Sequence, residues 1–446
     1  MKNRERPNRY MDPLYLIGQA PIPGLKRCRI PLRLEDVTTV GDDETPTASD
    51  VPAEAIELLW QRVEAMYRTG VYPGLQVCIR RHGHVVLHRA IGHARGNAPG
   101  DPPDGEKLPV TTETPFNLFS ATKSITAMVI HKLDEQHVLH MEDRVCDFIP
   151  EFAKHGKERI TIRHLLSHRA GIPNLPPEYL DLDLLTQPDR IIEVLCDAEL
   201  RSRPGRLLAY HAVTGGFVLG EVVRRATGSD IRQVLEKRIL EPLGMRWMRY
   251  GVRPEDLHLV AHDAMTGPSV PPPMSTMLRK ALGVELGEAV DLCNDPRFLT
   301  GIVPSANGVA TACEAAAFYQ CLLDGGELDG VRVFEPRTVA HATSEQSYWE
   351  IDLTLGFPIR YGLGFMLGSE RASLFGPDNP AAFGHVGFTN TFTWADPERQ
   401  IAVALLTNGK PVLSLHAVRL VQFMMEINRA FPKVAPAPGV RARRAA

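Results

Sequence analysis

Apolar side chains between residues 53 and 68 (AEAIELLWQRVEAMYR) fall at Ile56, Leu59, Trp60, Val63 and Met66. That three-and-four spacing predicts one amphipathic helix, ended by Gly70 and Pro73-Gly74. The pattern then shortens to β-type runs at 75–81 and 85–90, joined at His82-Gly83-His84, which predicts a hairpin with glycine in the turn. From 119 to about 244 the spacing is mainly helical, punctuated by Pro204-Gly205, Thr227-Gly228 and Pro242-Leu243-Gly244. Residues 253–295 have weak periodicity and a proline-rich run at 268–273, which predicts loops with a helix or two. Thr311 and Glu314 have the spacing of a capping box opening a helix over 314–323. Residues 361–367, 388–395 and 400–407 are enriched in β-branched and aromatic side chains and read as strands, and a final helix spans about 413–429.

Strands at both ends with helices between them predict an α/β (α+β) fold: an antiparallel sheet flanked by helices, made by the N- and C-terminal segments, with a mainly helical domain inserted. The expected sheet domain is 51–118 with 300–432, and the helical domain is 119–299. Residues 1–50, spaced by Pro13, Pro21, Pro23 and Pro31 and ending in an acidic turn-rich stretch, read as an N-terminal extension, and 433–446 as a flexible tail.

Composition narrows the function classes. The 446 residues carry 50 Lys and Arg against 53 Asp and Glu, a net charge of -3, so no basic field recommends a nucleic-acid partner. Seven cysteines, with no C-x-x-C pair, fit neither a disulfide framework nor a zinc knuckle. The polar start and the lack of a membrane-length apolar run predict a soluble, cytoplasmic protein without a membrane span. His82, His84, His88 and His93 lie close in sequence, but a hairpin alternates their faces and no carboxylate or cysteine completes a set there, so no metal is expected. His164 and His168 read as scaffolding, and Asn307 as a neighbour of the site without a catalytic role.

The chemistry lies in Ser120-Ala121-Thr122-Lys123 at a helix start. Spacing of three places the serine hydroxyl and the lysine amine on one face. A serine becomes a nucleophile when a base takes its proton, and a lysine serves once desolvation lowers its pKa. Free N–H groups and the positive dipole end at a helix start suit an oxyanion.

The blocks around this tetrapeptide widen the reading. They are PFNLFSATKSITAMVI (115–130), ITIRHLLSHRAGIP (160–173), RPGRLLAYHAVTGGFVLGEVVRRATG (203–228), ILEPLGM (239–245), PSANGVATACEAAAFYQCLLDGGELDG (304–330), YGLGF (361–365) and FGHVGFTNTFTWADPERQIAVALLTNG (383–409). In this order they resemble the serine β-lactamase and penicillin-binding-protein-like family, in particular its class C-related esterase branch, over about residues 71–409. The resemblance implies Ser120 as the acylated nucleophile, Lys123 as its base, and Tyr210 as the second-box tyrosine, with His211 beside it as a substrate-binding candidate. A phenol near a lysine ammonium can sit as phenolate or share a proton, and so act as base and then acid. Ala212 stands where the second box usually has a polar side chain.

The third box, commonly Lys-Thr-Gly, is His385-Val386-Gly387. A permanent cation that would pair with a substrate carboxylate is replaced by a group mostly neutral at pH 7, which points away from lactams and towards esters. The family likeness makes the Phe388 N–H the second oxyanion donor beside that of Ser120, with Gly387 permitting close backbone approach. The expectation is a carboxylesterase acting through an acyl-enzyme on small or medium hydrophobic esters, with no cofactor and a small-molecule partner. Acyl transfer or thioester cleavage, weak β-lactamase or D-amino-acid peptidase activity, and a catalytically silent binding protein remain open, as does the oligomeric state. The pocket walls are expected from 175–188 and 254–297.

Overall fold

In the computed structural model, which describes residues 24–45, 50–172, 174, 181–412 and 414–434, eight strands make the main sheet. They are β1 (Thr38–Val40), β2 (Gly74–Arg81), β3 (His84–Arg95), β4 (Leu108–Pro109), β5 (Met366–Leu367), β6 (Phe383–Gly387), β7 (Thr391–Asp396) and β8 (Ile401–Thr407). Every ladder is antiparallel, and the spatial order is β5-β6-β7-β8-β2-β3-β1, with β4 pairing β3. The helices that matter for the site are α1 (Ala53–Tyr67), α2 (Thr122–Glu135), α3 (Pro188–Asp197), α4 (Thr214–Thr227), α5 (Met274–Leu282), α6 (Leu286–Cys293), α7 (Ala312–Leu323) and α8 (His416–Ala430).

The two ends of the chain meet in the β8–β2 ladder, where Val403 faces Ile79 and Leu405 faces Val77. Helices cover this ladder on both faces, which is why β8 is a continuous apolar run instead of an alternating one. On one face Val77, Ile79, Val403 and Leu405 join Trp60 and Val63 of α1 and Phe423 and Ile427 of α8 in one core. On the other, Cys78, Ala402 and Ala404 share a core with Ala315 and Ala316 of α7. Small side chains on both sides keep that helix–sheet contact close-packed.

Several expectations need correction. The extension contributes β1, an edge strand on β3, and Asp50 pairs with the buried Arg81 at 2.7 Å. Residues 1–23 lie outside the described residues. So do 435–446 of the expected tail, while Lys433 is held by Asp378 at 2.7 Å. The hairpin turn is His82 (φ 50°) and Gly83 (φ 84°), the left-handed pair of a two-residue turn, and β3 continues to Arg95. Residues 361–365 do not form a strand: Gly364 takes φ 97°, and a Cβ there would collide with Ala127 of α2.

β6 carries the third box, and Gly384 and Gly387 lower its apparent strand propensity. Both glycines are steric necessities, since a Cβ would strike the Thr393 carbonyl at Gly384 and the Leu118 carbonyl at Gly387. Phe388 lies beyond β6, in a turn with φ 47°. The capping box is half formed: α7 starts at Ala312 and the Glu314 N–H donates to Thr311 Oγ1 at 3.2 Å. The Glu314 carboxylate accepts instead from the N–H groups of Arg246 (2.9 Å) and Trp247 (2.6 Å), tying the preceding helical region to α7. Among the described residues, no helix is long and apolar enough to cross a membrane.

Candidate active site

Ser120 lies in a short 3-10 turn, Phe119–Ala121, that runs directly into α2. Phe119, just before it, takes φ 49°, a strained conformation for an aromatic residue. The strain is held by its neighbours: the Leu118 N–H donates to the Gly308 carbonyl (2.7 Å) and the Phe119 N–H to Asn117 Oδ1 (3.0 Å). Below the Phe119 ring sits Lys410, its Nζ 4.4 Å from the ring centroid and 3.3 Å from the buried Asp263 carboxylate.

The helical spacing does bring the Lys123 amine to Ser120, with Nζ 3.4 Å from Oγ. Lys123 Nζ also donates to the Ala212 carbonyl at 2.7 Å and the Ser305 carbonyl at 3.0 Å. Burial holds its pKa well below the ordinary lysine value. With two N–H groups spent on carbonyls, a neutral amine would turn its lone pair to the serine hydroxyl. Asn307 keeps Ser305 in place indirectly, since its side chain bonds the Phe298 and Gly301 carbonyls and the Val303 N–H.

Tyr210 is buried with its ring 4.7 Å from Lys123 Nζ, and its N–H donates to Asp352 Oδ1 at 3.1 Å. Its hydroxyl comes close enough to Ser120 to interact without making a well-aligned hydrogen bond. Burial raises the phenol pKa above its ordinary value, so the resting form is the phenol and not the phenolate.

Three imidazoles surround this floor. His385 on β6 is buried with its ring centroid 6.3 Å from that of Tyr210 and Nδ1 2.9 Å from the Val386 carbonyl. His168, read from sequence as scaffolding, lies 4.6 Å from Tyr210 and 5.0 Å from Tyr361 between ring centroids. His211 stacks on His168 at 5.6 Å, and its N–H donates to His168 Nδ1 at 3.3 Å. His211 therefore lines a small cavity behind Lys123 with His168, and not the larger apolar pocket above Ser120. Burial, then the charge of Lys123, lowers His211 and His385 to about 3; burial, then His211, pushes His168 well down. All three are neutral at pH 7.

An apolar pocket opens above Ser120 and encloses about 190 Å³. Its walls are apolar, with Leu182 and Leu185, Val194 of α3, Phe217 of α4, and Leu292 of α6 among them, while Ser120 and Phe388 lie at its base. The Phe388 ring stacks on Phe119 at 5.2 Å and 28°. The expected stretches supply only part of these walls: Leu182, Leu185 and Leu292 fall in them, whereas Val194 and Phe217 come from helices outside them, and residues 175–180 lie outside the described residues. The Ala212 and Ser305 carbonyls were invisible in sequence, because backbone acceptors leave no residue signature. The histidines of 82–93 do not converge: His82 lies by Asp50, His93 by Asn97, and His88 meets Asp43 and Cys313, which come from elsewhere in the chain.

A serine turn at the start of a helix, a buried lysine one turn on, and a tyrosine and strand packed beside them fit a serine hydrolase of the β-lactamase/transpeptidase-like fold. Residues 59–421 match the beta-lactamase family model, and the chain belongs to that family. Esterase/beta-lactamase LipL of Mycobacterium tuberculosis (strain ATCC 25618 / H37Rv) is 30% identical over 316 residues, 68% of this chain and 71% of LipL. Among solved structures, a family VIII carboxylesterase superposes with TM-score 0.72 at 27% identity, over 86% of this chain and 99% of that one. A penicillin-binding protein homologue from Caulobacter crescentus gives TM-score 0.69 at 27% identity, over 84% and 98%.

Proposed function

We propose that this serine hydrolase is a carboxylesterase for esters with an apolar acyl group, working through an acyl-enzyme on Ser120. The observation that carries the reading is a serine with a desolvated amine 3.4 Å away at the base of a pocket whose walls are almost wholly apolar. Lys123 takes the Ser120 proton as Oγ attacks the ester carbonyl. The N–H groups of Ser120 and Phe388 receive the oxyanion, each such donor contributing roughly 3 to 4 kcal/mol of barrier lowering. Tyr210, a phenol at rest, relays a proton from Lys123 to the departing alkoxide. Water then attacks the acyl-enzyme by the reverse path and frees the acid.

His385 supports an ester over a lactam, because it is buried and neutral where lactam-recognising relatives carry a cation. Among the described residues lining the pocket there is no lysine or arginine, and nearby Lys410 is engaged by Asp263. In the purified protein, Ser120→Ala is expected to lower p-nitrophenyl butyrate turnover by about 10,000-fold or more and to abolish fluorophosphonate labelling. Unchanged turnover would overturn the mechanism. Nitrocefin turnover by the unaltered protein matching its ester turnover would overturn the substrate class.

A further inference from the structure

Away from the catalytic floor, four potential metal ligands meet where β3, α7 and the turn after β1 come together. His88 stands on β3 directly opposite Cys78 of β2. Cys313 reaches down from the first turn of α7, and Asp43 reaches in from the turn after β1. Donor atoms of Asp43, His88 and Cys313 all lie within 4.8 Å of one another. His88 Nδ1 is 2.5 Å from Asp43 Oδ1, and Cys313 Sγ is 3.6 Å from Asp43 Oδ2. The Cys78 thiol is buried and close enough to Cys313 to interact with it.

We propose that Asp43, His88 and Cys313 bind a divalent cation of the zinc class, with a fourth position open to water on the exposed side of Asp43. The donor set of one thiolate, one imidazole and one carboxylate is a borderline-soft one that favours Zn²⁺ over Mg²⁺ or Ca²⁺. Ligands at zinc distances in a tetrahedron stand about 3.5 Å apart, close to the Cys313–Asp43 separation; the His88–Asp43 contact has to open, and His88 and Cys313 start within 4.8 Å of each other. The geometry of the ring is already fixed. His88 is 4% exposed, and a Cβ on Gly41 would overlap its imidazole, so backbone confines it on that side. Its other nitrogen, Nε2, is buried without a hydrogen-bond partner.

On binding, Cys313 loses its thiol proton to solvent. The imidazole keeps one proton, moved from Nδ1 to Nε2, so the cation takes the Nδ1 lone pair and the net release is the thiol proton. The bound ion would staple the turn carrying Asp43 onto the sheet edge and onto α7. That turn is already laid along β3, with the Gly41 N–H donating to the His88 carbonyl and the His88 N–H to Glu44 Oε1, both at 2.8 Å. None of the three ligands belongs to the Ser120 machinery.

The test uses the full chain, stripped with a chelator and kept reduced, then titrated with Co²⁺ and Zn²⁺. The expected result is saturable binding of one ion, a thiolate-to-cobalt charge-transfer absorption displaced by Zn²⁺, and a rise in Tm. Cys313→Ser and His88→Ala are expected to weaken binding by more than about 100-fold, beyond what loss of an outer-shell partner costs. Cys146→Ser, outside the cluster, should bind as the unaltered chain does. Circular dichroism and unchanged butyrate turnover in Cys313→Ser show that the variant is folded. Absence of saturable binding, or equal binding by Cys313→Ser, would overturn the site. So would loss of two thiols on mild peroxide treatment with no metal uptake, which would make Cys78 and Cys313 a disulfide pair.

Discussion

The catalytic floor and the acyl pocket touch at Ser120 and Phe388 yet are built on opposite physical terms. The floor buries Lys123, Tyr210, His168, His211 and His385 together, and both ring nitrogens of His211 lack a partner there. Each unsatisfied buried polar atom costs roughly 1 to 3 kcal/mol, so such a cluster has to be held by a rigid surround. That surround is α2, β6 and the start of α4, with Gly387 letting β6 approach the Leu118 carbonyl. The pocket costs nothing comparable. Its aliphatic and aromatic side chains come from α3, α5, α6 and the connecting loops, and are interchangeable at modest expense. On the proposed mechanism, reactivity is thus fixed in the close-packed centre, while selectivity rests on walls that substitution can reshape.

The sharpest way to break this division is to remove the acid without touching the walls. Tyr210→Phe keeps the ring against His168 and Lys123 and deletes only the hydroxyl, so kcat is expected to fall about 100- to 1,000-fold for every acyl length, with KM little changed. A fall that depended on acyl length would give Tyr210 a place in the walls instead. The converse change is Ala289→Phe, which places a ring in the pocket from α6. It should lower kcat/KM for p-nitrophenyl octanoate roughly 10- to 100-fold and leave acetate near its original value. Equal losses on both esters would show that the pocket is not where the acyl chain lies.

The same division governs what could be read from the sequence. Ser120 and Lys123 were legible because a three-residue helical spacing fixes their geometry locally. β7 and β8 were legible because dense β-branched and aromatic runs mark buried strands. The strand propensity of β6 is lowered by its own function, since the glycines that admit close backbone contacts are residues that argue against a strand. His168 and His211 have no local signature of their role, and only the folded chain stacks one on the other. His88 is a similar case, because its partners Asp43 and Cys313 are 45 and 225 positions away. The pocket walls could be located only in part in weakly patterned stretches, because loops with short helices carry little periodicity and Val194 and Phe217 enter from helices outside them.

The smallest effect distinguishes the two regions by their protons. His385 is held to about 3 in the folded state, first by burial and then by Lys123, against about 6.5 for an unfolded histidine. Between those values the unfolded chain binds a proton that the folded chain refuses, so acid destabilises the fold. The contribution is fully present above pH 6.5 and is lost at about 1.4 kcal/mol per pH unit as pH falls towards 3. His385→Gln removes one such group and should flatten the pH dependence of the unfolding free energy, measured by urea titration, below pH 6.5 by that amount per unit. Asp263, raised to about 6 by burial, acts in the opposite sense, its protonated form being favoured in the folded state. Because Asp263 is common to both proteins, the difference between their slopes isolates the imidazole. Ala289→Phe, which alters none of the buried imidazoles, should leave the slope as it was. Equal slopes for His385→Gln and the unaltered protein would mean that His385 is charged in the fold, and its case for an ester substrate would fail with it.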